Sequence, residues 1–327
     1  MHSLNIFFYW DGPISDSRLK ILKDSVYSTR VFNPNHDITI VSNSLTEDML
    51  DAKFKIKIMK WDLSLFEGTP VPLETVEKYY LNAHPREVSD LIRLVLLYKF
   101  GGSYVDTDDL AIKPIAPVKN LICRSYDPHT CHYNNLQPED CIPGKYRELR
   151  GYDEITMFPR NDCWLNFEPF HHIIEEILSH PKFLNAEKAV YIGDNFSWQS
   201  LTLDVIKNNI QHIRVSFDIG LTLLYLYEDF VSASSYWDRC MHGGEMCDFY
   251  KTLPDLDKYE WGSYKCTKST ASSFYDLIKN KYPVVSHMWL HSKDAKEEWM
   301  LPQLTDEYYS LSTWIYQLIK EKINEWR

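Results

Sequence analysis

Asp90, Arg93, Asp106 and Asp108 are the side chains of this sequence whose types and spacing can do chemistry, with Asp109 beside them. Asp90 and Arg93 stand three residues apart, which makes them neighbours on one face of a helix. Around them Val88, Leu91, Ile92, Leu94, Val95, Leu96 and Leu97 leave almost no polar face, so that helix is buried. A buried charge is costly unless it is paired or meets a ligand. In an extended chain Tyr104, Asp106 and Asp108 point the same way, with Asp109 on the opposite face, although the spacing also permits a turn. Carboxylates crowded like this repel one another unless a cation sits between them. Oxygen ligands suit a hard divalent ion, Mg²⁺ or Mn²⁺.

The elements that must position these residues follow from punctuation and period. Pro85 suits the first turn of a helix and Gly101-Gly102 its end. Ser103-Tyr104-Val105 then forms a short strand. Upstream, Leu4 to Trp10 is an apolar run of strand length, stopped by Asp11-Gly12-Pro13. A helix is expected over residues 15–27, a strand over 37–41, a short helix over 46–52 and a third strand over 54–59. This βαβαβ order predicts an α/β fold, a sheet with parallel members and helices on both faces. Ligands of such sheets gather at the carboxyl ends of strands, where Trp10, Asp11, Ser42 and Asp106 fall. Of the aromatic run, Phe8 is expected in the core and Trp10 at the site, with Tyr9 open between the two.

Ser89-Asp90-x-x-Arg93 followed by Gly101-Gly102-x-Tyr104-x-Asp106-x-Asp108 resembles the DXD sugar-binding region of glycosyltransferase family 32. That group includes yeast mannosyltransferases and bacterial capsular polysaccharide synthesis proteins, and large clostridial glucosylating toxins share the arrangement. The opening strand ending in Trp10-Asp11-Gly12 is similar too. The resemblance implies a GT-A type, Rossmann-like fold with a mixed central sheet and added helices. It implies a retaining transfer from a UDP- or GDP-sugar to a glycan or other hydroxyl acceptor. On the same ground Asp90, Arg93, Asp106 and Asp108 are the catalytic candidates. Tyr9, Trp10, Asp11, Gly12, Asp90, Arg93, Tyr104 and Asp106 are the donor-binding candidates. Asp108 is expected to ligate Mn²⁺ or Mg²⁺ directly, and Asp106 to act on the ribose or through metal-bound water. His287 is the candidate third ligand, with His291 and Trp299 behind it and an ordinary half-buried histidine as the equal alternative.

Composition excludes other classes. A formal net charge of −11 argues against a nucleic-acid groove, and no apolar run is long enough to cross a membrane. Seven cysteines without metal-type spacing read as free thiols of a reducing cytoplasm. The chain reads as one domain over 1–327: a nucleotide-sugar half (1–120), an acceptor-side and variable half (121–300) and a C-terminal helix (301–327). Further strands are expected at 121–123, 155–158 and 213–217, and helices at 167–179 and 196–208. The polar stretch 126–150 is an acceptor-loop candidate or plain surface. Residues 218–269 match no motif. The tail carries Leu311, Ile315, Leu318, Ile319 and Ile323 on one stripe and is expected to pack on the domain, with membrane-surface docking the weaker option. A haloacid dehalogenase-like phosphatase is a poorer reading, because Gly101-Gly102-Ser103 interrupts the strand before Asp106. An EF-hand fails at Ala111 and Pro117. An inactive carbohydrate-binding relative is the remaining alternative.

Overall fold

The computed structural model describes residues 4–124 except 82, 108, 112 and 116–118, then 159–184, 201, 205, 214–217, 276, 286–287 and 311–327. The first strand, β1 (Asn5–Tyr9), leads into helix α1 (Asp16–Phe32), and β2 (Asp37–Val41) and β3 (Lys57–Met59) follow. Helices α2 (Leu73–Tyr79) and α3 (Pro85–Phe100) precede β4 (Gly102–Val105) and the two-residue β5 (Asp109–Leu110). Beyond them lie β6 (Leu121–Arg124), β7 (Pro159–Phe167), α4 (His172–Leu178), α5 (Pro181–Leu184), β8 (Arg214–Phe217), β9 (Ser286–His287) and α6 (Leu311–Trp326).

Among the described residues the main sheet has the order β3-β2-β1-β4-β7-β6-β8. Strands β3, β2, β1 and β4 are parallel, and β7 runs against β4 and β6. The expected α/β fold is therefore present. Starting from β1 the chain builds outward through β2 and β3, then crosses to the far side of β1 for β4. The carboxyl ends of β1 and β4 consequently flank a topological switch point, where a crevice opens in sheets of this kind.

Period-two alternation divides the core into two layers. Phe7, Tyr9 and Tyr104 face α3, together with Trp164, Phe167 and the apolar side of α4. Ile6, Phe8, Ile38 and Ile40 face Leu22 and Val26 of α1. Phe8 is thus core, as expected. Tyr9, left open by the sequence, is core as well, at 5% exposure. Trp10 is half-buried against the α1 layer.

Helix α1 runs to Phe32, well past the expected end. Ser28, Thr29 and Arg30 look like a polar stop, yet all three are buried. Arg30 spends its guanidinium on the carbonyls of Phe54, Pro34, His36 and Lys55. The short helix expected at 46–52 is two separate 3-10 turns, Glu47–Met49 and Ala52–Phe54, and β3 keeps only the last three residues of its expected span. The strand β7 was not foreseen. Its first five residues, Pro159-Arg160-Asn161-Asp162-Cys163, carry no strand-like alternation, and the expected strand at 155–158 lies outside the described residues. Phe167 closes that strand instead of opening a helix, which starts five residues later. Of the helix expected at 196–208, Leu201 and Val205 are described as helical and buried. The strand expected at 213–217 is β8. The stretches 126–150 and 218–269 fall outside the described residues.

Candidate donor-sugar site

Helix α3 delivers Asp90 and Arg93 to the switch point. Its start is fixed by the His84 backbone N–H, which donates to the Glu87 side chain at 2.9 Å, and by Pro85 in the first turn. It stops at Gly101, whose φ of 63° gives the left-handed turn that glycine adopts without strain. A Cβ at Gly102 would lie 2.3 Å from the Asn5 carbonyl oxygen, so only glycine lets β4 run this close to β1. The pair of glycines therefore places β4, and with it Tyr104 and Asp106, directly after the helix that carries the other two charges.

These side chains form one network. The Arg93 guanidinium lies 3.1 Å from Asp90 and 3.4 Å from Asp106. It also donates to the Ser89 carbonyl at 3.3 Å and the Ser89 hydroxyl at 3.2 Å, and lies 4.9 Å from the centre of the Tyr104 ring. The Tyr104 hydroxyl donates to Asp106 Oδ1 at 3.0 Å and stands 3.1 Å from the Ser89 hydroxyl. Burial, followed by the nearby Asp106 charge, pushes the Tyr104 phenol well above its ordinary range. It stays protonated and acts as a donor. The Asp90 and Arg93 side chains are 5% and 6% exposed, whereas Asp106 is 24% exposed. Asp106 is thus the acid of this network that faces outward, held from below by one cation and one phenol.

After Asp106 the chain turns instead of continuing extended: the Asp109 N–H donates to the Asp106 carbonyl at 3.1 Å. Strand alternation therefore does not run through to Asp108, which lies outside the described residues. Asp109 is buried in β5 at 1% exposure, and its position is paired antiparallel with His287 of β9. The far C-terminal histidine is in this way brought beside the acidic turn at the level of the backbone. His291 and Trp299 lie outside the described residues. Helix α1 supports the same loop from the other side. The Ser28 hydroxyl accepts from the Ala111 N–H at 3.0 Å, and Asn33 Oδ1 accepts from the Ile115 N–H at 2.9 Å.

At the end of β1, Tyr9 and Asp11 are engaged within the protein. The Tyr9 hydroxyl donates to Asp11 Oδ2 at 3.2 Å, and burial, then Asp11, raises its phenol far above the usual value. Gly12 adopts a φ of 133°, and its N–H donates to the Ser44 hydroxyl at 3.0 Å. Ser42 stands beside Asp11 at the strand ends, as expected, whereas Ser44 and Trp61, which also surround Asp11, escaped the sequence reading. The available signal was their position directly after β2 and β3.

The outward Asp106 carboxylate is an oxygen donor of the kind that suits Mn²⁺ or Mg²⁺. Among the described residues no three acidic, histidine or cysteine side chains converge tightly enough to hold an ion.

Residues 21–129 match the family described as glycosyltransferase sugar-binding region containing DXD motif. That span contains α3, both glycines, Tyr104 and the acidic turn. The match covers a third of the chain and makes this stretch similar to the sugar-binding region of DXD glycosyltransferases. The narrower likeness to family 32 rests on the sequence pattern alone. No curated protein matches the chain in sequence. Solved structures similar to it include the PaToxG glycosyltransferase, at 17% identity and TM-score 0.40, covering 64% of this chain and 70% of that one. The galactosyltransferase LgtC, in complex with donor and acceptor sugar analogues, is similar at 12% identity and TM-score 0.43, covering 98% and 96%. The bifunctional glycosyltransferase WbbM is similar at 13% identity and TM-score 0.39, covering 98% of this chain and 49% of that one. None of these likenesses assigns a role to a residue. Among the described residues no helix is long and apolar enough to cross a membrane.

Proposed function

We propose that the chain is a metal-dependent, retaining glycosyltransferase of the GT-A type, moving a sugar from a UDP- or GDP-sugar to a glycan or other hydroxyl acceptor. The observation that carries this reading is the buried Asp90–Arg93–Asp106 network, presenting one outward carboxylate at the switch point inside the DXD-matching stretch. Asp106, Asp108 and His287 would hold Mn²⁺ or Mg²⁺. An ion held there would supply neutralisation of the charge that develops on the departing diphosphate. Arg93 orients the Asp106 carboxylate, and Tyr104 fixes its Oδ1 with a neutral hydroxyl. Asp90 and Arg93 lie below Asp106, where the family pattern puts the donor sugar. No side chain stands out as a covalent nucleophile, so front-face transfer, with the leaving diphosphate deprotonating the acceptor, fits better than double displacement.

Titration calorimetry with UDP and GDP tests the reading. Binding of one of them is expected in Mn²⁺ and should weaken at least about tenfold in EDTA, because clustered carboxylates repel an anionic ligand. Equal affinity in both buffers would overturn it. A reducing, cytoplasmic compartment is part of the same reading, drawn from seven cysteines without metal-type spacing. A thiol titration of the unfolded chain should find them free.

A further inference from the structure

We infer that Asp11 is a positioning residue, which shapes the turn Trp10–Gly12 that receives the nucleotide and does so through Ser44 and Trp61, without touching the ligand. The inference rests on the donor-site reading above. It starts from the number of donors that converge on one carboxylate. Asp11 Oδ1 accepts from the Asn43 N–H at 2.6 Å, the Ser44 N–H at 3.0 Å, the Ser44 hydroxyl at 3.1 Å and the Ser42 hydroxyl at 3.3 Å. Oδ2 accepts from the Trp61 indole N–H at 2.5 Å and the Tyr9 hydroxyl at 3.2 Å. A carboxylate offers about four lone-pair sites. Six converging donors fill both oxygens and leave no acceptor to offer a ribose or a base.

The donors come from the carboxyl ends of three parallel strands: Tyr9 from β1, Ser42 to Ser44 just after β2, and Trp61 just after β3. One side chain thus fastens together the rim on the β1 side of the switch point. Asn43 reinforces the rim, donating from Nδ2 to the Trp61 carbonyl at 2.9 Å and accepting from the Trp61 N–H at 3.1 Å. The link to the turn runs through Ser44, whose hydroxyl donates to Asp11 and accepts from the Gly12 N–H. Gly12 in turn lies against α3: a Cβ built on it would stand 3.7 Å from Pro85 Cγ. Asp11 therefore sets how the β1 turn sits against the helix that carries Asp90 and Arg93. Every step from Asp11 to that helix passes through another residue.

Asp11→Asn keeps the size of the side chain but places an NH₂ against N–H donors whichever way it flips. The test is calorimetry of the full chain with UDP and with GDP in Mn²⁺, reading affinity and stoichiometry separately, beside donor hydrolysis. For Asp11→Asn, Kd should rise at least about tenfold with stoichiometry unchanged, and kcat of donor hydrolysis should stay within about threefold. A merely structural role gives the opposite split, with stoichiometry falling and Kd intact, and would overturn the inference. Ser44→Ala keeps the Asp11 charge but cuts the link to Gly12, and should raise Kd about threefold or more. Loss of binding in Asp11→Asn with none in Ser44→Ala would mean direct ligand contact and also overturns it. Should Asp11→Asn not fold, Ser44→Ala decides alone. Wild-type protein that binds neither nucleotide would sink the donor-site reading, whereas wild-type binding with an unchanged Asp11→Asn sinks only the role assigned here.

Discussion

At the residue scale the site is a matter of which acid faces outward. Asp90 and Asp106 share one guanidinium, but only Asp106 keeps appreciable exposure, and Asp109 is buried in β5. Asp109 therefore faces inward, while Asp108 is the direct metal ligand that we propose from the family pattern. Asp108→Asn should abolish metal-dependent donor hydrolysis while leaving the melting temperature within a few degrees of wild type. Asp109→Asn should lower stability by about 1–3 kcal/mol yet retain metal-dependent nucleotide binding. Calorimetry with Mn²⁺ and thermal melts on both variants check the pair, and the reverse pattern would shift the motif by one residue. The Asp90, Arg93, Tyr104 and Asp106 grouping was legible in the sequence because covalent spacing does most of the positioning: three residues along one helix, two glycines, one short strand. Most of the surroundings of Asp11 were not legible. Its donors stand up to fifty residues away, at Ser42, Asn43, Ser44 and Trp61, and only the sheet order brings them together. From sequence alone Asp11 reads as a ligand contact. In the fold its oxygens are already occupied.

At the element scale the joint between α3 and β4 matters most. Gly101 turns the helix off in a left-handed conformation, and a Cβ there would meet Pro169 Cδ at 2.7 Å and the Phe167 carbonyl oxygen at 2.8 Å. Gly102 has less room still, and its φ of 92° is one that residues with a side chain rarely adopt. Gly102→Ala must either push β4 off β1 or distort the turn. It should cost at least about 3 kcal/mol, with nucleotide binding lost in proportion to the folded fraction; urea titration measures the first and calorimetric stoichiometry the second. A wild-type midpoint would show that the sheet yields there at little cost. Elements with a clean period and clear punctuation were legible, such as β1, β2 and α3. Two failures share one cause, tertiary burial of polar side chains. Helix α1 continues through Ser28, Thr29 and Arg30 because Arg30 finds four carbonyl acceptors there. Strand β7 holds Asn166 in the interior, where its N–H donates to the Ser103 hydroxyl at 3.0 Å. Neither partnership is visible along the chain.

At the scale of the whole molecule, the C-terminal part of the chain returns to the N-terminal half. Strand β9 pairs with β5 beside the acidic turn, and α6 lies on α1 with Ile319 and Ile323 fully buried and Lys320 paired with Asp24. Ile319 and Ile323 of the expected apolar stripe are thus covered within the chain. The core between the sheet and α3 carries an unusual load, since Tyr9 and Tyr104 are buried there and each hydroxyl donates to an aspartate at the site. For both phenols burial is the largest cause of a raised value, and the aspartate charge adds to it. A folded-state value above the ordinary 10.0 means that the native state keeps protons the unfolded chain gives up. That stabilisation is complete below about pH 10 and is lost as the pH climbs towards the folded-state values. Exposed tyrosines should therefore titrate near pH 10 in the ultraviolet. A separate, later step should coincide with loss of helical circular dichroism, because the buried phenols, Tyr9 and Tyr104 among them, ionise only as the core opens. Tyr104→Phe should move that step to higher pH, having one fewer proton to release, while weakening metal-dependent nucleotide binding at neutral pH through the freed Asp106. Titration of every tyrosine in one step near pH 10 with the helices intact would show that the phenols reach solvent without unfolding, and that Asp106 is not held by a permanently neutral donor.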